Sequence, residues 1–222
     1  MGVKYNPGVV TSGLVFCFDA GNIKSYPKSG TGCYDLSNGD TGTLINGPTY
    51  DSTNGGSLVF DGTNDYVQFP SKTNRNVGGT DFSVFIWMKS NNKAGYQSLL
   101  TLDNIGWGGG IILYSLVDTG VFRTWVGNTA QNGNIDICNN SWNYVGIVRR
   151  SGVVTQYVNN IPDVTFNASG TTLSDQYVRL GSVDTTTYFL NGRISNGTMH
   201  NRALSDQEVS QNFNALRGRY GI

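Results

Sequence analysis

The sequence predicts an all-β domain made of two packed antiparallel sheets and closed by one C-terminal helix. Three observations carry this reading. Short runs of β-branched and aromatic residues recur from about residue 13 onward, separated by Gly, Asn and Asp. Some runs alternate, while Phe82 to Met88 carries large apolar groups on both faces; half-buried and fully buried strands together suit two sheets around one core. Only the final stretch, "ALSDQEVSQNFNALRGRYG", combines helical periodicity with cap signals.

In chain order, the predicted strands are Leu14–Phe18, Ser57–Phe60, Tyr66–Phe69, Phe82–Lys89, Ser98–Leu102 and Gly110–Leu116. They continue with Val121–Val126, Trp142–Arg149, Val153–Asn159, Tyr177–Ser182 and Asn191–Met199. Asn159-Asn160, in "VNNIPD", reads as a hairpin turn because Asn tolerates the left-handed conformation. The helix begins at Ser205 as N-cap, with Glu208 three residues on completing a capping box and Leu204 and Val209 spaced as a hydrophobic staple. Val209, Phe213 and Leu216 form one apolar stripe for docking on a sheet. Arg217 complements the helix C-terminus, and Gly218 is the expected stop. No Pro/Ser-rich linker or charge run interrupts residues 13–222, which are read as one domain. Residues 1–12, with Pro7, two glycines and little periodicity, are either an extended arm that anchors to a neighbouring subunit or a frayed terminus.

Composition narrows the function classes. Fifteen basic and fifteen acidic residues cancel, and no basic stripe suggests phosphate recognition, so nucleic acid is not an expected partner. Charged residues are only 14%, against 30 Gly and 25 Asn, which predicts a neutral, amide-rich surface with many turns. Cys17, Cys33 and Cys138 are odd in number and widely spaced, so no disulfide framework is implied. The N-terminal "MGVKYNPGVVTSG" lacks the apolar core of a secretory signal, and no apolar run is long enough to span a bilayer; synthesis in the cytoplasm is expected. The N-glycosylation patterns at Asn139, Asn167 and Asn196 are read as accidents of Asn and Ser/Thr abundance.

The segments "GLVFCFDAGN", "YDLS", "GTLINGPTY", "GGSLVFDGTNDYV" and "LNGRIS…NRALSDQEVSQNFNALRGRYG" together resemble the laminin-G-like, concanavalin A-like domains. The likeness is greatest to the branch found as single-domain structural proteins of tailed bacteriophages, and it covers nearly the whole chain from Gly13. It implies a two-sheet antiparallel jelly-roll sandwich with a short helix. It also implies a non-enzymatic structural protein of a virion surface, either head decoration or tail appendage. Such a protein would dock on other virion proteins, and a homo-oligomer, with a trimer as the guess, suits repeated particle sites. The alternative is a glycan-binding module, calcium-dependent or not, for host or surface attachment, because this fold hosts several functions.

No catalytic constellation is apparent. Retaining β-glucanases of this fold carry a strand motif close to Glu-Ile-Asp-Ile-Glu; here "NIDIC" keeps Asp136 but has Asn134 and Cys138 at the glutamate positions, so no carboxylate pair results. The single histidine, His200, has no nucleophile elbow to serve and is read as a structural, hydrogen-bonded or solvated residue. Zinc-ligand spacings are absent, and "GWGGGI", Gly106 to Ile111, lacks the Lys of a phosphate loop and is read as a hairpin or bulge. Trp107, Trp125, Tyr96 and Tyr114 lie on or beside Gly-rich turns and are the candidate sugar-stacking rings, with core packing as the plainer reading. Asp61, Asn64 and Asp65 form either a tight turn or part of a calcium site. The turn is preferred: Asp61-Gly62 is a turn signal, Asp bonds backbone amides there, and "NGRIS" lacks the acidic residue of many relatives. No cofactor is required by this reading.

Overall fold

A computed structural model describes residues 8–75, 77, 80–103, 110–168 and 176–222. Its strands are β1 (Leu14–Asp19), β2 (Gly32–Tyr34), β3 (Thr41–Ile45), β4 (Thr49–Asp51), β5 (Ser57–Asp61), β6 (Tyr66–Lys72), β7 (Phe82–Lys89) and β8 (Gln97–Asp103). They are followed by β9 (Ile111–Ser115), β10 (Val121–Val126), β11 (Thr129–Asp136), β12 (Asn143–Arg150), β13 (Val153–Val158), β14 (Ile161–Asn167), β15 (Gln176–Leu180), β16 (Asn191–His200) and then α1 (Asp206–Tyr220). The first sheet runs β14-β13-β12-β7-β16-β5-β4, with β1 also pairing β16. The second runs β11-β10-β9-β8-β15-β6-β3-β2. All pairings among these strands are antiparallel. The two sheets face each other across one core, as a jelly-roll sandwich of the concanavalin A type.

Strand periodicity dictates what each face does. In β9, Ile111 and Leu113 enter the core between the sheets, while Ile112 and Tyr114 pack in a separate cluster on the opposite face. β7 is buried on both faces because α1 covers the outside of the first sheet: Phe85 and Trp87 meet Val209, Phe213 and Leu216 there. The capping box at Ser205 and Glu208 is formed, and Leu204 and Val209 are both buried beneath it. The hairpin at Asn159-Asn160 has positive φ at both residues, as a type I′ turn requires.

The sequence reading needs two corrections. The helix does not stop at Gly218; it continues to Tyr220, and Gly221, in the left-handed conformation, donates its N–H to the Arg217 carbonyl. Tertiary contacts extend the last turn. The Tyr220 ring stacks on Trp87 at 4.2 Å and its hydroxyl donates to Ser195 Oγ, while Arg219 forms a bidentate pair with Asp19. Five strands were also not foreseen: β2, β3, β4, β11 and β14. Four of them are the edges of the two sheets, where pairing rather than an apolar pattern holds the backbone. Pro162 lies in β14, an edge position that tolerates its missing donor.

Residues 8–12 lie against the helix and the segment before it. Gln211 Nε2 donates to the Gly8 carbonyl, the Val10 N–H donates to Asn212 Oδ1, and Arg202 Nε donates to the Ser12 carbonyl. The three cysteines are free thiols. No helix among the described residues is long and apolar enough to cross a membrane.

Candidate functional site

Among the described residues no helix covers the outer face of the second sheet, and there a group of aromatic side chains collects. Ile112, Tyr114 and Val183 are its buried centre; Tyr96, Trp125 and Tyr188 pack against them and are half-buried. Tyr96 meets Tyr188 at 4.8 Å and Tyr114 at 5.9 Å between ring centroids. Beside this cluster opens a cleft of ≈ 440 Å³ lined by Tyr96, Tyr188, Phe189, Asn92, Gln97 and Gly62, among others. An aromatic-lined concavity with a few polar groups is the usual form of a small-ligand site.

Two connections shape the cleft. The β7–β8 loop carries Tyr96 and is tied down by its own amides. Asn92 N donates to Ser90 Oγ, Ala94 N to Asn92 Oδ1, and the buried Gln97 holds the Asn92 carbonyl and the Asn191 N–H. The β15–β16 connection carries Tyr188 and Phe189. Asp184 Oδ1 accepts from Thr186 N, Thr186 Oγ1 and Thr187 N. Burial would raise its pKa, but these donors hold it below the ordinary value. Tyr188 has φ +57°, a left-handed conformation unusual for a bulky side chain, and its carbonyl accepts from Ser98 N. In this conformation its ring meets that of Tyr96, and backbone strain of this kind is concentrated at functional sites.

One cation faces the ring cluster. The Arg123 guanidinium lies 5.6 Å from the Tyr114 ring centroid. Burial pushes the Tyr114 hydroxyl up to about 12, with Arg123 opposing the shift. Tyr188 is also raised, by burial first and then by Tyr96, again against Arg123. Both phenols are therefore neutral donors at physiological pH.

Three of the four candidate sugar-stacking rings, Tyr96, Tyr114 and Trp125, come together here from three separate elements; Trp107 and Gly106 to Gly109 lie outside the described residues. Sequence reasoning missed Tyr188, Phe189 and Arg123. No local signal marks a left-handed tyrosine, and Arg123 is placed only by register opposite Tyr114.

The turn at Asp61–Asp65 borders the same cleft through Gly62. Thr63 N donates to Asp61 Oδ1 and Asp61 N to Asp65 Oδ2, so both carboxylates satisfy turn amides. Asp65 is buried, which raises its pKa. Among the described residues, no group of three His, Cys, Asp or Glu side chains could hold a metal ion. Asp136 is paired with Lys93 at 2.5 Å and accepts from Cys138 N, while Asn134 bonds Asp163. His200 is buried on β16 with Nε2 2.9 Å from the Val10 carbonyl oxygen. Asn196 is buried and donates to the Phe18 carbonyl, so it is no glycan acceptor.

Comparison with known proteins agrees with the architecture. A family model described as the concanavalin A-like lectin/glucanases superfamily matches residues 61–210. No curated protein sequence matches the chain. Among solved structures, the binding domain of botulinum neurotoxin serotype D superposes with a TM-score of 0.71 at 11% identity, covering 92% of this chain and 52% of the other. The binding domain of botulinum neurotoxin DC in complex with rat synaptotagmin II gives 0.71 at 12%, with coverages of 93% and 52%. Trypanosoma rangeli sialidase gives 0.70 at 16%, with 93% and 33%. The chain thus spans about half of the toxin binding domains and a third of the sialidase, and at these identities the likeness is one of fold. Neither comparison bears on the phage relationship expected from the sequence. With more than half of its length matched, the chain belongs to the concanavalin A-like lectin/glucanase superfamily.

Proposed function

We propose that the protein is a non-catalytic glycan-binding module whose ligand sits on the outer face of the second sheet and in the adjoining cleft. The observation that carries this reading is the convergence of Tyr96, Tyr114, Trp125 and Tyr188 beside a concavity of ≈ 440 Å³. Aromatic faces offer stacking surfaces to the C–H face of a sugar ring, and the tyrosine hydroxyls and the Asn92 amide supply donors at the rim. The loops are pinned by internal hydrogen bonds, so little ordering is left to oppose binding. The superfamily contains both lectins and glucanases, but the one carboxylate suggested for catalysis, Asp136, is engaged by Lys93. The structures named above are toxin binding domains and a sialidase, which favours attachment over the virion-surface role and the trimer, so the attachment alternative becomes the main reading.

A glycan array probed with the purified chain tests this. Binding to a defined set of glycans, lost in Tyr96→Ala and Trp125→Ala with the melting temperature retained, is expected. Absence of binding to every glycan would overturn the reading.

A further inference from the structure

Four of the nine arginines are matched by acids among the described residues. Arg75, Arg193, Arg202 and Arg219 each have a carboxylate within 4.0 Å. On the outer face of the second sheet, Arg123 and Arg179 do not, among the described residues. Arg149, Arg150 and Arg217 also have none among the described residues; the first two belong to the other sheet and donate to the Thr80 and Leu204 carbonyls, and Arg217 lies on the helix 5.9 Å from the Phe213 ring centroid.

These two guanidiniums, of Arg123 and Arg179, bracket the aromatic cluster. Arg179 on β15 is only 6% exposed; it donates to Gln68 Oε1 at 2.9 Å and to the Val183 carbonyl at 3.3 Å, with the Tyr177 ring 5.2 Å away. Val183 is itself part of the cluster. Arg123 on β10 lies over Tyr114, and its Nε is buried without a hydrogen-bond partner. Arg179 stands in register with Thr101, Thr101 with Ile112, and Ile112 with Trp125, so one row of side chains crosses from β15 to β10. Burying a cation among neutral groups is costly, and a guanidinium held in a fixed pose matches a planar carboxylate better than any other partner.

We infer that this face takes oligosaccharides that carry carboxylate groups, uronate or sialate sugars, with Arg123 and Arg179 as the acid-reading side chains. The inference deepens the glycan-binding reading and rests on it. Three strand spacings separate β15 from β10, roughly 14 Å, so the two arginines meet separate positions along a chain rather than one shared acid group. The aromatic rings between them supply the neutral contact, and the guanidiniums supply the choice. The chain's zero formal net charge means that any preference for acidic ligands arises from this local arrangement and not from a general positive field.

Titration calorimetry of the intact chain with paired ligands provides the test: oligogalacturonate against its methyl ester, and sialyllactose against lactose. At least one acidic form is expected to bind about tenfold or more tightly than its neutral partner, as charge-assisted hydrogen bonds allow. That preference should shrink as ionic strength is raised, and should fall towards equality in Arg123→Gln and Arg179→Gln. Arg123→Lys keeps the charge but not the fork and should give an intermediate ratio. Equal affinities for acidic and neutral partners would overturn the inference while leaving glycan binding intact. So would an acidic preference unchanged in both glutamine variants. Failure of all four ligands, together with a blank array, would remove the glycan-binding reading itself. If Arg179→Gln does not fold, the wild-type ratio and Arg123→Gln still decide.

Discussion

The rings of Tyr96 and Tyr188 meet with centroids 4.8 Å apart, and Tyr188 holds a left-handed backbone, φ +57°, at this contact. Neither residue is close to the other in sequence; the β7–β8 loop and the β15–β16 connection bring them to one rim of the cleft. A bulky residue in this conformation costs on the order of 1–3 kcal/mol unless its surroundings impose it. Replacement by a residue that tolerates positive φ should therefore separate stability from binding. Tyr188→Asn is expected to change the unfolding free energy by less than about 1 kcal/mol, because relief of strain offsets lost packing. The same variant should lose glycan binding on the array. A large loss of stability in urea titration would show that the ring is held for the core instead.

Arg75 is fully buried and sits between Asp35 at 2.8 Å and Asp40 at 3.0 Å, with its other nitrogen donating to the Pro70 carbonyl. Removing one member of a buried pair leaves the other charged and uncompensated. Arg75→Ala should destabilise the fold by about 3–5 kcal/mol, measured by chemical denaturation. A loss under about 1 kcal/mol would mean that water enters to solvate the carboxylates.

Tyr220 joins the helix to the first sheet by its ring and its hydroxyl. Tyr220→Phe keeps the stacking on Trp87 and forfeits one hydrogen bond, so a loss of about 0.5–1.5 kcal/mol is expected. Tyr220→Ala opens a cavity over Trp87 and should cost about 3–5 kcal/mol. Equal effects of the two substitutions would show that the ring contributes no packing.

Acid should weaken the fold in two stages. Burial lowers the pKa of His200 from 6.5, with the Val10 carbonyl and Glu208 opposing and Arg202 adding to the effect. Because the unfolded state then binds the proton more readily, the stability tied to neutral His200 is complete above about pH 6.5 and drains away as pH falls below it. Arg202 holds Glu208 down from 4.5 to about 2, so its contribution is present above pH 4.5 and is lost towards pH 2. Asp65, raised by burial, works in the opposite sense and moderates the second stage. Thermal melts from pH 8 to pH 3 should show both declines, and His200→Gln should remove the first.

Most of the eleven foreseen strands carry dense apolar runs, because burial between the sheets selects such residues in strands that lie inside a sheet. β11, "TAQNGNID", and β14, "IPDVTFN", have no such run. They are half-buried edges that exist because β10 and β13 present unpaired backbone groups to them. The candidate site was legible only as a scatter of rings. Tyr96, Tyr114 and Trp125 stood out by their place near turns, whereas Arg123 and Arg179 lie within ordinary strand runs and nothing local distinguishes them from solvated charges.

The sequence by itself determined the sandwich, the capped start of the helix, the Asn159-Asn160 hairpin and the turn at Asp61, since each depends on short-range propensity, capping or left-handed tolerance. Tertiary structure decided the end of the helix, the edge strands, the strained Tyr188 and the cationic aromatic face. Those features depend on which strands become neighbours and in what register. Register is fixed by the shared core of the whole domain, and no local stretch of sequence contains it.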